Sequence, residues 1–436
     1  MILHLALACF AASSDKLDPT AHFGLSIASA GDLDGDGVPD LLIGDGSRHE
    51  DDNGPGRVWV ISGGDGRVLD LLLGRNVEEG QPARFGLSLA TLGDLDRDGV
   101  PDFVVGAYGD GSRSRDKPRG TRMGFARVYS GRDRRVLREF IGDRTDDGFG
   151  CSVAAAGDID RDGTPDIVIG ASGSPQDDRH AGYVRILSGR DGSVLRTVRQ
   201  RPDSWLSGLF DREPKSWIRF GSSIVNLGDL DADGIPDLAI GVPGSFPGRS
   251  ARGSVEVFSA STGEALFTID RRRDDRGNMA LGGAIARLGD VNSDGVCDFL
   301  VSRIDVAVWI CSGKDGSTIR EIEDPGRYGY LRGFGHSLAA LGDLDGDGVP
   351  DFAVGCEEDL DSGDQYDATV FSGRDGSELG VLEAGHEFVV VAAAGDVDGD
   401  GVPDVLASRW ESGQVKVISG RTGETLRTIR RPPEIR

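Results

Sequence analysis

Short apolar runs separated by glycine, aspartate and serine recur along most of the chain. The runs are four to seven residues long and rich in Val, Ile and Leu, as in 103–107 and 126–129. Runs of this length bounded by turn residues are typical of β-strands rather than helices. Four such runs make up each repeating unit, which residues 85–137 show in full. Four short strands per repeat are typical of a β-propeller blade.

One acidic motif, Gly-Asp-x-Asp-x-Asp-Gly-x-x-Asp, marks every repeat. Its copies begin at 32, 94, 158, 229, 290, 343 and 396, at intervals of 53 to 71 residues. This interval suits one supersecondary unit repeated around an axis, not a separate domain. The repeats run over residues 23–429 without a linker. We therefore expect an all-β, seven-bladed β-propeller with four antiparallel strands and one acidic loop per blade, in a domain spanning 15–436.

The first acidic loop offers a set of oxygen ligands. Asp32, Asp34 and Asp36 alternate, Val38 supplies a backbone carbonyl, and Asp40 closes the loop. A set made only of oxygens favours a hard cation, calcium before magnesium, over zinc or copper. A glycine at the sixth position permits the sharp bend around the ion. The loop therefore predicts a calcium site.

The other six loops repeat this spacing, so up to seven Ca2+ ions are expected. The equivalent ligands are Asp94, Asp96, Asp98, Val100 and Asp102; Asp158, Asp160, Asp162, Thr164 and Asp166; Asp229, Asp231, Asp233, Ile235 and Asp237; Asp290, Asn292, Asp294, Val296 and Asp298; Asp343, Asp345, Asp347, Val349 and Asp351; and Asp396, Asp398, Asp400, Val402 and Asp404. In the fifth loop Asn292 keeps an oxygen ligand but loses a charge. This loop should bind its ion most weakly.

Two other interpretations of the loops compete with calcium binding. An EF-hand opens with similar spacing but ends in a glutamate at position twelve between helices, whereas position twelve here is Ile43 between strands. Solvated acidic turns would explain one copy better than seven. The loops hold 27 of the 73 acidic residues, and seven divalent ions would add +14 to the formal net charge of −25, leaving about −11. Calcium should therefore stabilise the fold.

The order of motifs within a repeat resembles a known family. Phe85-Gly86-Leu87-Ser88, the acidic loop, and Gly106-Ala107 after the second strand are similar to the FG-GAP repeat of integrin alpha-subunit propellers and their bacterial relatives. The resemblance implies a seven-bladed propeller with calcium loops between the first and second strands. It also implies adhesion or ligand recognition rather than catalysis. It does not extend to heterodimer formation or to integrin ligands.

Blades five and seven depart from the family pattern. The fifth unit has Leu281-Gly282-Gly283 and the seventh has Glu387-Phe388-Val389 where Phe-Gly is expected. Ser302-Arg303 and Ser408-Arg409 occupy the Gly-Ala positions of these two units. We expect these blades to be divergent.

The first residues resemble a secretory signal. Residues 2–12 are apolar and are followed by the small residues around Ser13, so 1–14 is a possible signal peptide, although it lacks a basic region. An ordinary first strand and a lipoprotein cysteine at Cys9 are the alternatives. No later stretch is long enough to span a membrane. We expect a secreted, periplasmic or cell-surface protein.

Blade five holds two cysteines that could pair. If the hairpin turn is centred on Ile304, antiparallel pairing places Cys297 opposite Cys311. A disulfide between them would fit an oxidising compartment. Two buried free thiols are an equally good interpretation. Cys151 and Cys356 lie in apolar runs of other blades and are expected to pack in the core.

The loops opposite the calcium loops differ in length, aromatic content and charge. Five aromatic residues in these connections are candidates for stacking on sugars or anchoring a protein, with a small local cap as the alternative. They are Trp205, Phe210, Trp217, Tyr328 and Tyr330. Residues 107–124 carry a net charge of +3 and residues 356–367 a net charge of −6. An anionic ligand would therefore be expected near blades two to four.

Sequence motifs of catalysis are missing from the chain. We find no nucleophile elbow, metalloprotease motif, Walker loop or zinc-spaced Cys/His set, and the six histidines are scattered. The leading interpretation is a monomeric, calcium-binding adhesion or recognition module that binds an extracellular glycan or protein and no nucleic acid. A glycan-active lyase or hydrolase and a purely structural surface protein are the alternatives.

Overall fold

A computed structural model of the chain shows its repeats as separate four-stranded units. The residues that it describes are 23–46, 56–74, 84–109, 123–145, 147–173, 182–199, 219–243, 253–270, 281–325, 333–356, 368–382, 389–409 and 412–432. Within these ranges the chain forms 28 β-strands and no helix. The expected all-β, seven-bladed propeller is confirmed.

Each blade is an antiparallel sheet whose four strands are consecutive in sequence. The strands of blades one to four are β1 Phe23–Gly31, β2 Asp40–Asp45, β3 Arg57–Ile61 and β4 Val68–Leu73; β5 Phe85–Gly93, β6 Asp102–Ala107, β7 Met123–Tyr129 and β8 Val136–Thr145; β9 Phe149–Gly157, β10 Asp166–Ala171, β11 Tyr183–Leu187 and β12 Val194–Val198; and β13 Ser223–Gly228, β14 Asp237–Val242, β15 Ser254–Phe258 and β16 Ala265–Asp270. Those of blades five to seven are β17 Leu281–Gly289, β18 Asp298–Arg303, β19 Ala307–Cys311 and β20 Thr318–Glu323; β21 Ser337–Gly342, β22 Asp351–Gly355, β23 Ala368–Phe371 and β24 Glu378–Leu382; and β25 Val389–Gly395, β26 Asp404–Arg409, β27 Gln414–Ile418 and β28 Thr425–Arg430. Among the described strands, none is exchanged between blades.

Burial follows the position of each strand in its blade. The second strands β2, β6 and β10 are buried at every residue, because a neighbouring blade covers each of their faces. The outer strands are more exposed, and β28 is exposed at four of its six positions. The core therefore consists of layers between blades rather than one central cluster.

The layer between blades one and two shows how adjacent sheets pack. Leu42 and Val60 of blade one lie in one apolar cluster with Phe85, Phe103 and Tyr129 of blade two. The rings of Phe103 and Tyr129 stack with their centroids 5.6 Å apart. Full burial of one such side chain contributes about 2 kcal/mol to folding. Repeated around the ring, these layers supply most of the apolar burial.

A serine in the first strand hydrogen-bonds each of five blades to the next. Ser26 Oγ donates to the Gly86 carbonyl at 2.5 Å, and Ser88 Oγ donates to the Gly150 carbonyl at 2.9 Å. Serines in blades three, four and six make the same bond to the carbonyls of Gly221, Gly282 and Val389. The Phe-Gly-x-Ser motif is therefore a contact between blades as well as a strand signal.

The divergent blades five and seven carry this hydroxyl on the second strand. In blade one Ser26 pairs with Gly44, and a Cβ added to Gly44 would lie 2.2 Å from Ser26 Oγ. In blade seven the same pair is Val390 and Ser408, so the serine has moved across the pair. Ser408 Oγ donates to the Gly24 carbonyl at 2.6 Å. This bond closes the ring from the last blade to the first.

The hairpin of blade five corrects the expected cysteine pairing. Phe299, not Cys297, pairs with Cys311, because the turn is centred on Asp305, whose φ is 69°. The assumed centre at Ile304 was one residue early, which shifts the pairing by two positions. Cys297 and Cys311 are free thiols, and Cys297 lies outside the paired register.

Candidate metal loops and the opposite loop face

The acidic loops connect the first and second strands of each blade. The turn between the third and fourth strands lies on the same face, since Arg67 of the first such turn contacts Asp34 at 2.8 Å. The described strand ends that lead into the connections between the second and third strands and between blades lie at the opposite face.

The first aspartate of a loop organises its backbone. Asp32 Oδ1 accepts the N–H of Gly35 at 2.7 Å, and Oδ2 accepts that of Gly37 at 2.9 Å. Asp36 Oδ1 accepts the N–H of Val38 at 2.8 Å. A carboxylate can accept about four hydrogen bonds, so lone pairs remain for an ion. The bonds to the sixth and seventh residues recur in the other loops.

The carboxylate oxygens converge closely enough for a calcium ion. In five loops, three carboxylates offer oxygens that all lie within 4.8 Å of one another. Calcium bonds oxygen at about 2.3–2.6 Å, so one ion can contact two oxygens separated by up to about 5 Å. The residues therefore fit the ion by donor type and by spacing. The five sets are Asp32, Asp34 and Asp36; Asp94, Asp96 and Asp102; Asp158, Asp160 and Asp166; Asp229, Asp231 and Asp237; and Asp343, Asp345 and Asp347.

The ninth residue of the loop has a structural role that the sequence did not predict. Asp40 is fully buried, and its two oxygens accept the N–H groups of Leu33 at 2.7 Å and Gly63 at 3.0 Å. These bonds fasten the metal loop to the turn between the third and fourth strands. Burial raises the pKa of Asp40 to about 6, and repulsion from Asp34 and Asp36 adds to the increase. Burial likewise raises the pKa values of the equivalent Asp166 and Asp237 to about 6.

Arginines of the neighbouring turns pair with the loop carboxylates. Arg135 contacts Asp96 at 2.7 Å, and Arg374 contacts Asp347 at 2.6 Å. Arg421 pairs with Asp400 at 2.8 Å. These arginines belong to the same blade as the loop they touch and partly offset its negative charge. In the sequence, these ion pairs are indicated only by a basic residue in the turn that follows Ser-Gly.

The repeats of this sequence match a known family. The model of the FG-GAP repeat matches residues 23–61, 85–121, 149–187 and 220–258, which are four of the seven blades. The chain carries FG-GAP repeats and is similar to integrin alpha subunits.

Curated relatives agree with that assignment. The FG-GAP propeller is 37% identical over 182 residues to integrin alpha-5 of Xenopus laevis, a match that covers 41% of this chain and 15% of the relative. It is 32% identical over 180 residues to integrin alpha-V of Gallus gallus, covering 40% of this chain and 15% of the relative. It is 36% identical over 174 residues to integrin alpha-PS2 of Drosophila melanogaster, covering 36% and 12%. The matches thus span a small part of each relative.

The opposite face of the FG-GAP propeller carries a polar cluster between blades two and three. Tyr183 Oη donates to Asp147 at 2.8 Å, and Arg185 pairs with Asp143 at 2.6 Å. The guanidinium carbons of Arg185 and Arg199 lie 5.1 and 5.0 Å from the centre of the Tyr183 ring. Burial, with the nearby Asp147 charge, raises the pKa of Tyr183, so its hydroxyl remains a donor. Only the fold brings these residues together.

The predicted ligand-face aromatics lie outside the described residues. They are Trp205, Phe210, Trp217, Tyr328 and Tyr330, and the possible signal peptide at 1–14 also falls outside the described ranges. Within the part of the chain that the structure covers, there is no helix that could cross a membrane.

Proposed function

We propose that this FG-GAP propeller is a secreted or cell-surface calcium-binding module for adhesion or recognition. Its ligand is an extracellular glycan or protein, it acts as a monomer, and we assign it no catalytic step and no nucleic-acid partner. The observation that carries the proposal is the repeated convergence of three carboxylates within 4.8 Å in loops of an integrin-like propeller. The integrin names of the relatives support adhesion rather than catalysis.

Calcium in this proposal serves the fold. The carboxylates of positions one, three, five and nine, with the carbonyl of position seven, would hold each ion. Bound calcium neutralises carboxylates that otherwise repel one another. Because the unfolded chain lacks the converged loop, the ion stabilises the folded state.

Recognition is assigned to the face opposite the metal loops. Arg199 is exposed there and lies over the ring of Tyr183, which is buried, while Arg185 pairs with Asp143. Arginine and aromatic side chains are enriched at the energetically dominant positions of interfaces. Trp205 and Trp217 belong to the connection that leads into the fourth blade and are proposed to add to this face. An exposed arginine beside tryptophan side chains would suit acidic glycans or acidic protein segments.

A binding screen tests the proposal. The purified chain is applied to arrays of glycans and extracellular-matrix proteins, in calcium and again in chelator. We expect a calcium-dependent hit that Trp205→Ala, Trp217→Ala and Arg199→Ala weaken. Leu426→Ser, an exposed change on the outer strand β28, is the matched control and should bind normally. Binding that survives all three face variants would overturn the assignment of the face.

A further inference from the structure

The fourth position of the metal loops differs among blades. It lies between the second and third predicted carboxylate ligands and has positive φ in every loop. Loops one, six and seven have glycine there, at Gly35, Gly346 and Gly399. Loops two and three have Arg97 and Arg161, with φ of 63° and 62°. An arginine adopts this left-handed conformation less readily than glycine does. The contacts of the two arginine side chains are therefore of interest.

Both arginines reach the metal loop of the following blade. Arg97 Nη2 donates to Thr164 Oγ1 at 3.3 Å. Thr164 is 2% exposed and is the seventh residue of the third loop, whose carbonyl is a predicted ligand. Arg161 Nη2 donates to the Asp233 carbonyl at 2.6 Å. Asp233 is the fifth residue of the fourth loop, and its carboxylate is a predicted ligand.

These contacts differ from the arginine–carboxylate pairs of the metal loops. Arg67, Arg135, Arg374 and Arg421 bind loop carboxylates within their own blade. Arg97 instead extends from one metal loop to the next, so that loops two, three and four form a connected series through it and Arg161. The guanidinium of Arg97 also lies 3.8 Å from the position of a Cβ added to Gly163, at the bend of the third loop.

We infer that Arg97 and Arg161 are positioning residues that couple ion binding in blades two, three and four. The inference rests on the proposed calcium binding. An ion held by Asp96 and Asp98 fixes the backbone of the residue between them and thus directs its side chain. That side chain then holds Thr164, so the third loop loses less freedom when it binds its own ion. Coupling of this kind is reciprocal between the two sites.

Hydrogen exchange read loop by loop tests the coupling. Amide protection of each loop is followed by mass spectrometry against free calcium, so that every loop has its own midpoint. Asp96→Ala removes the ion of loop two, and we expect the midpoint of loop three to rise at least about fivefold. In an Arg97→Gly background, which restores the glycine of loop one, the same substitution should leave the midpoint of loop three unchanged.

Parallel variants provide the controls. Asp160→Ala should raise the midpoint of loop four, and the rise should vanish in an Arg161→Gly background. Asp398→Ala in loop seven is the matched control, since Gly399 has no side chain to reach the next blade, and loop one should keep its midpoint. A shift in loop three that is zero, or equal with and without Arg97, would overturn the coupling. A wild-type protein in which no loop gains protection would instead refute calcium binding itself.

Discussion

At the scale of single residues, the aspartates of one loop have different tasks. Asp34 and Asp36 are accessible to solvent, and their carboxylates lie close enough together to share an ion. Asp40 is buried and accepts hydrogen bonds from two backbone N–H groups. Removing a buried acceptor leaves those donors without partners, at a cost of about 1–3 kcal/mol. The spacing of the motif alone does not distinguish these roles.

A comparison of Asp40→Ala with Asp34→Ala separates structure from metal binding. Asp40→Ala should lower the free energy of unfolding by about 1–3 kcal/mol even in chelator, because Leu33 and Gly63 lose their acceptor. Asp34→Ala should have little effect in chelator but should remove one ion from the stoichiometry and destabilise the calcium-bound form. Urea unfolding with and without calcium measures both. Equal losses in chelator would show that Asp40 has no separate structural role.

The free cysteines predict a specific labelling pattern. Of the four cysteines in the described residues, Cys297 is partly exposed, whereas Cys151, Cys311 and Cys356 are buried. Burial also raises the pKa of Cys311 to about 12, which keeps it an unreactive thiol. In a Cys9→Ser background, maleimide should label the native protein once, and Cys297→Ser should abolish that label. If only two thiols react in denaturant without reductant, a disulfide is present and the free-thiol assignment is wrong.

At the scale of elements, polar contacts join neighbouring blades. The side chain that makes such a contact comes from different strands in different blades. In blade one, Ser26 of the first strand pairs with Gly44 of the second. In blade seven, Val390 occupies the position of the serine and Ser408 that of the glycine. Both arrangements place a hydroxyl beside a glycine carbonyl of the next blade. What looked like divergence in the sequence is therefore a compensated change at one pair of positions.

The ring-closing hydroxyl can be removed and restored. Ser408→Gly should destabilise the protein by about 1–3 kcal/mol, since the buried Gly24 carbonyl loses its donor. Adding Val390→Ser should recover part of that loss by rebuilding the pair found in blade one. Chemical denaturation of the single and double variants measures the recovery. Additive losses would show that position 390 does not supply the hydroxyl.

A second exchange involves the outer strands. Arg427 donates to the Gly63 and Gly64 carbonyls of the next blade, and Arg138, Arg196 and Arg320 make similar contacts. The equivalent residue of blade one is Asp70, opposite Val60. The facing turn of blade two carries Arg134. Burial lowers the pKa of Arg134, and the negative charge of Asp70 opposes this decrease. Between blades one and two, the outer strand thus carries the acidic residue and the facing turn carries the arginine.

This arrangement predicts that substitutions at Asp70 and Arg134 have strongly non-additive effects on stability. Asp70→Arg alone should destabilise the protein, because two guanidinium groups would meet in a half-buried space. Asp70→Arg with Arg134→Gly should regain stability by restoring the arrangement of the other blades, with a coupling of about 1 kcal/mol or more in a double-mutant cycle. Thermal or urea unfolding measures the cycle. A coupling near zero would show that the two side chains do not interact.

At the scale of the whole molecule, charge and ring closure act together. The chain has a formal net charge of −25, and its acidic loops lie on one face. Divalent ions reduce the repulsion on that face. Because each blade packs on two neighbours and the last bonds the first through Ser408 and Gly24, stabilising one loop supports the entire ring.

Chelation should therefore lower the melting temperature substantially. Each site filled at 100 times its dissociation constant adds about 2.7 kcal/mol to the stability of the folded state. Scanning calorimetry in calcium and in chelator measures the change, with magnesium as the control for non-specific screening. Superimposable melts in calcium and chelator would refute the stabilising role of calcium.

Sequence alone determined the repeated four-stranded unit and the candidate metal ligands. Both depend on local information, because strand length, turn residues and carboxylate spacing act within about ten residues of chain. Seven repetitions made the ring architecture deducible, and the expected propeller is confirmed. The ligand set stays a prediction of the sequence that the convergence of carboxylates supports.

The tertiary structure decided everything that depends on register or on contacts between blades. The left-handed Asp305 set the pairing of Cys311 with Phe299, and a one-residue error in the assumed turn centre moved the partner by two. The hydroxyl of Ser408 meets a carbonyl 384 residues away in sequence. Contacts of this range depend on which side chains face one another across blades, and no local pattern specifies that.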